Sequence, residues 1–183
     1  MALLSRGCRL AALGVILVQA NAMGAGDQQQ LVDEYQVKAM FLYNFAKFVE
    51  WPNRPLGAKQ AVTICVIGHD PFGHWLQDTV KGQVLDGRPF VVRHIFNTRE
   101  AGVCRMLFIA SSEEKRLPSL IAEVKSKNIL TVAESDRASE LGVMITFILE
   151  GGRVHFEINP QAAECEKLRI SSRLLNLARI VKR

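Results

Sequence analysis

Residues 61–67 read Ala-Val-Thr-Ile-Cys-Val-Ile and are closed by Gly68. A run with no polar face cannot lie on a half-solvated sheet; it suits a strand covered on both sides, as in the middle of a parallel sheet. Parallel neighbours cannot be joined by tight turns, so such a strand demands crossover connections. The downstream sequence supplies them. Helical patterning is expected over residues 72–81, 117–127 and, briefly, 137–141, the last closed by Gly142. Between them, residues 88–96, 106–110 and 129–132 read as strands, the first entered through Gly87.

The alternation breaks near the end. Residues 143–149 and 154–158 are two strands separated by Glu150-Gly151-Gly152-Arg153, the signature of a tight antiparallel hairpin. From residue 161 a terminal helix is expected, with Leu168, Leu175 and Ala178 on one side and Ile170, Leu174, Leu177 and Val181 on the next. At the other end, residues 31–50 contain neither Gly nor Pro and stop at Trp51-Pro52, which predicts a long first helix. The expected fold is therefore a single-domain α/β protein with a doubly wound, mostly parallel sheet of Rossmann or flavodoxin-like type. It carries an antiparallel C-terminal hairpin and long N-terminal and C-terminal helices. With 49% hydrophobic and 22% charged residues in 183, the chain has the material for one proper core.

The first helix carries two adjoining apolar stripes: Val32, Tyr35, Ala39, Leu42, Ala46, Val49, and then Val37, Phe41, Phe45, Phe48. That arc is wider than one core-facing stripe needs. Either two layers of the same domain cover it, or part of it meets another chain. On the second reading Phe41, Phe45, Phe48, Leu174 and Leu177 are the candidate partner or dimer surface.

Compartment is read from the first residues. Arg6 and Arg9 precede the apolar stretch 10–18, and Ala20-Asn21-Ala22 places small residues at a cleavage site, so residues 1–22 are expected to be a cleaved signal peptide and 23–183 a single exported domain. About 20 apolar residues are needed to cross a bilayer, and this run is roughly half that length. Export leads to a compartment where disulfides persist. Cys65 lies within the central strand and Cys104 just before the third, strands that are neighbours in a flavodoxin-like order, so a Cys65–Cys104 bridge is expected. Cys165 is then odd, either a free thiol or an intermolecular bridge.

Motifs for chemistry are sparse. Gly68-His69-Asp70-Pro71-Phe72-Gly73 has the glycine spacing of a phosphate loop, but His74 and Trp75 stand where Lys and Ser or Thr would hold phosphate and magnesium. His69 and His74 lack the Cys or carboxylate partners of a metal set, and no Gly-x-Ser-x-Gly elbow is present. No catalytic residue, metal or cofactor is expected, and a net charge of +5 spread along the chain does not suggest nucleic acid. For a small anionic or aromatic metabolite, Arg54 beside Trp51, with Arg169 and Arg173, offers guanidinium forks; the alternative is ordinary surface charge.

Several segments together resemble a known family. They are Tyr35-Gln-Val-Lys-Ala-Met-Phe-Leu-Tyr-Asn-Phe-Ala-Lys-Phe-Val-Glu-Trp-Pro52, Cys65-Val-Ile-Gly-x-Asp-Pro-Phe-Gly73, Gly87-Arg-Pro-Phe90, Cys104-x-x-Leu-Phe-Ile109, Gly151-Gly-Arg-Val-His-Phe-Glu-Ile-Asn159 and Leu168-Arg-Ile-Ser-Ser-Arg-Leu-Leu175. Across nearly the whole mature chain they look like the YfiR family of periplasmic regulators. The resemblance implies a homodimer that represses a membrane-anchored diguanylate cyclase through its periplasmic domain, with an outer-membrane lipoprotein sequestering the repressor. It implies an effect on cyclic di-GMP and biofilm formation, and no catalysis. Family members can carry a second disulfide besides the one matching Cys65 and Cys104, and this chain lacks it, which puts redox tuning in question.

Overall fold

The computed structural model describes residues 25–51 and 60–181, with side chains described from residue 34 onward. The expected signal peptide and Arg54 lie outside the described residues. In chain order the first half contains α1 (Ala25–Phe48), β1 (Val49–Glu50), β2 (Val62–Ile67), α2 (Trp75–Val80), β3 (Val84–Leu85), β4 (Arg88–Ile95) and β5 (Met106–Ile109). The second half contains α3 (Leu117–Val124), β6 (Leu130–Ala133), β7 (Ile145–Glu150), β8 (Arg153–Ile158), α4 (Pro160–Cys165), β9 (Arg169–Ile170), α5 (Ser172–Leu175) and β10 (Arg179–Ile180).

Eight strands form one sheet in the order β10-β8-β7-β6-β5-β2-β4-β3. Within it β4, β2, β5, β6 and β7 are parallel, which is the flavodoxin-like order with the first strand between the second and third. Every residue of β2 is buried, as its unbroken apolar sequence requires. β8 returns antiparallel to β7 through Gly151-Gly152, whose φ angles of 58° and 74° give the two-residue turn that matches the strands' twist. β3 and β10 add short edges, and β1 pairs with β9 in a separate small ribbon.

Alternation along the strands makes two cores, one per sheet face. Ile64, Val66, Met106, Phe108, Leu130, Val132, Ile145 and Phe147 point toward α1, where Ala39, Leu42, Phe45 and Ala46 are fully buried against them. Cys65, Ile67, Leu107, Ile109 and Val143 point the other way, to Leu117, Leu120 and Val124 of α3. Cys65 and Cys104 are bridged inside this second core, with Cα atoms 5.7 Å apart. The stitch joins the central strand to the entrance of β5.

Two expected elements need correction. The long C-terminal helix does not exist: α4, β9, α5 and β10 stand in its place. Lys167 turns out of α4 with φ 58°, Arg169 and Ile170 pair with β1, and Ser171 starts a new helix by accepting the Leu174 N–H at 3.3 Å. Apolar residues at helical spacing were therefore split between two short helices and two strands. Residues 137–141 form consecutive turns rather than a helix, with Ala138 and Glu140 N–H bonded three residues back.

Candidate functional site

An open parallel sheet takes ligands outside the carboxyl ends of its strands, where the strand order reverses. In this chain that place is between β2 and β5, and it is closed. Ser112 Oγ accepts the His69 N–H at 2.8 Å across the two loops. A Cβ on Gly68, whose φ is 95°, would stand 2.6 Å from Ser112 Oγ and 2.8 Å from Glu113 Cγ, so the loops meet at a separation that only glycine permits.

Beside this seam, α1 brings charge to the ends of β5 and β6. Glu134, just past the end of β6, accepts the Ser111 N–H through Oε1 at 3.2 Å and Lys38 Nζ through Oε2 at 2.7 Å. Lys38 also reaches Glu34 at 2.5 Å, one turn back on its own helix, and is only 4% exposed. Its ammonium lies 4.5 Å from the centre of the Tyr35 ring, a cation–π contact. Burial first, then the charges of Glu134 and Glu34, hold the Tyr35 phenol well above its usual pKa. One ammonium thus sits between two carboxylates, beside the place where an open sheet would admit a ligand. Sequence reasoning missed this constellation, although Glu34 and Lys38 at i and i+4, amid apolar stripes, are a visible signal.

The anticipated surface residues divide. Phe45 is fully buried, with Phe147 and Phe156 ring centroids at 5.7 and 5.0 Å, and Leu174 is buried as well. Both are core, because the sheet and α5 cover that side of α1. Phe41 is half-buried against Phe156 at 5.2 Å, and Phe48 packs at the margin of the same core. Leu177 alone of the five is exposed, at 75%. Among the described side chains of α1, the outward apolar ones are Val37 and Met40, the latter 54% exposed.

The anticipated ligand residues are only partly gathered. Trp51 follows β1, and Arg169 is the partner of Glu50 across the β1–β9 ribbon, so both belong to one corner. Trp51 is half-buried with the Arg105 guanidinium 5.5 Å from its ring. Arg169, Glu164, Leu168 and Leu175 line a cavity of about 260 Å³, while Arg173 is exposed on α5 outside it. Cys165 is an exposed free thiol. Among the described residues there is no metal-competent cluster, and no helix is long and apolar enough to cross a membrane.

Topology and site together define an α/β domain of flavodoxin-like sheet order whose strand-end seam is closed by its own loops, with the first helix packed beside it. Residues 35–179 match the YfiR/HmsC-like family model, so the chain belongs to that family, whose members are periplasmic regulators of cyclic di-GMP signalling rather than enzymes. Similar solved structures include a conserved domain protein of Vibrio cholerae O1 biovar eltor (TM-score 0.55, 14% identity), of which 79% of this chain covers 60%. Another is an ABC domain of Streptococcus pneumoniae solved in complex with L-Trp (TM-score 0.55, 10% identity), with 78% of this chain covering 60% of it. At these identities they show the fold, and this chain spans about 60% of their length.

Proposed function

We propose that the protein is an exported negative regulator, with residues 1–22 removed and 23–183 forming the working domain. It binds the periplasmic part of an inner-membrane diguanylate cyclase as a homodimer and represses cyclic di-GMP synthesis, and with it biofilm formation. An outer-membrane lipoprotein that sequesters the repressor would relieve the inhibition. Family membership supplies the class, and the observation that carries the mode of action is the closed crevice. The His69–Ser112 seam closes the position where sheets of this order take ligands, and Lys38, Glu34 and Glu134 seal the strand ends beside it, which leaves recognition to the outer surface.

Val37 and Met40 on α1, and Leu177 after α5, are among the exposed apolar side chains of the described residues and favour contact there. The test is a pull-down from solubilised envelope with the purified domain as bait, followed by cyclic di-GMP measurement in cells expressing Met40→Glu or Leu177→Glu. Capture of a diguanylate cyclase and derepression at normal protein abundance support the reading. Capture of no cyclase by the wild-type bait refutes it.

A second reading, a sensor of a small anionic or aromatic metabolite, draws on the cavity beside Arg169. Calorimetry with wild type and Arg169→Ala decides it: equal binding by both, or by neither, removes Arg169 from any such site.

A further inference from the structure

β4 is the outermost of the parallel strands, and among the described residues its outer edge is covered only at the start. β3 pairs with it at Val84 opposite Pro89 and Leu85 opposite Arg88, and the Phe90 N–H donates to the Gln83 carbonyl at 3.2 Å. Outward-facing main-chain groups belong to alternate residues of a strand. After Arg88 and Phe90 the next are Val92 and His94, whose outward N–H and C=O groups have no partner among the described residues. The edge ends at Phe96, whose N–H donates to the Glu100 carboxylate at 3.3 Å. Two donors and two acceptors are therefore left at strand spacing.

The side chains beside this edge state what would fit. Val91 and Arg93 are exposed on the disulfide face, where they border a cavity of about 430 Å³ with Ala61, Thr63 and Val103. Arg93 makes no ion pair with any described residue. His94, on the other face, lies 3.6 Å from Asp70. A second copy of β4 would bring Arg88 and Arg93 and no acid, so the like charges of two such edges oppose pairing.

The geometry points to a different occupant: an extended segment of a partner protein, added to β4 as a further strand, with an acidic side chain facing Arg93 and an apolar one facing Val91. This deepens the regulatory reading by giving the partner a docking edge, and it rests on that reading only for who the partner is.

The test needs no cyclase, so its failure is separate from failure of the proposed function. End-blocked synthetic peptides of alternating valine and glutamate are titrated into the folded, disulfide-bonded chain while its NMR amide signals are followed. Val92 and His94 signals are expected to shift and their hydrogen exchange to slow. N-methylating one alternate set of peptide amides should weaken binding about tenfold, and methylating the other set should leave it unchanged. A lysine version should bind about threefold more weakly than the glutamate version, with Arg93→Glu reversing that order. Equal binding of the two methylated forms, no preference for glutamate, or shifts confined to other strands would each overturn the proposal. Shifts of the same amides that depend on protein concentration without peptide would give the edge to a second copy instead, and overturn it too.

Discussion

At position 38 a lysine is sealed beneath the surface with Glu34 and Glu134 as its counter-charges. Attraction between such groups barely repays their desolvation, but removing one partner leaves the others buried and uncompensated. Lys38→Met should lower unfolding free energy by about 3–5 kcal/mol, read as a lower urea midpoint with unchanged slope. Tyr35 leads to a prediction about pH. Its folded pKa lies above the usual value near 10, so above about pH 10 the unfolded chain loses the phenolic proton while the folded one keeps it. Stability contributed by the neutral phenol is complete below that pH and is lost as pH rises further. Thermal unfolding from pH 9 to 11 should show a decline that Tyr35→Phe reduces; an identical decline in both proteins would refute it.

Among the elements, the bridge between Cys65 and the entrance of β5 closes a span of 39 residues. Chain-entropy arguments put its contribution at about 4 kcal/mol, so Cys104→Ser should lose about that much in denaturant titration, and wild type in strong reductant should match it. Sequence made the central parallel strand legible because the apolar run 61–67 is short, β-branched and closed by Gly68, which suits a strand buried on both faces, and Gly151-Gly152 marked the hairpin by turn chemistry. The terminal segment is deceptive for a physical reason: Ala163 and Leu174 are core residues, yet they arrive there from separate helices, α4 and α5, with the left-handed Lys167 and β9 between them. Period counting assumes one continuous helix. The charged crevice was illegible for another reason, since Lys38 and Glu134 are 96 residues apart and only the topology brings them together.

Over the whole molecule, core and contact surface can be told apart by where a substitution registers. Phe45→Ala opens a void between α1 and Phe147, and should cost about 3–5 kcal/mol in thermal or chemical unfolding. Met40→Ala, on the outward side of the same helix, should stay within about 0.5 kcal/mol of wild type. A large loss at Met40 would mean that α1 is covered on both sides. The same helix also sets the order of assembly. Ribosomes deliver α1 early, but Phe147, Phe156 and Glu134, against which it finally rests, emerge roughly a hundred residues later. For that interval the β2 and β5 side chains can cover one part of the helix, but Phe41 and Phe45 wait for the rings of the C-terminal hairpin, so that side of the first helix is sealed only when synthesis is nearly complete.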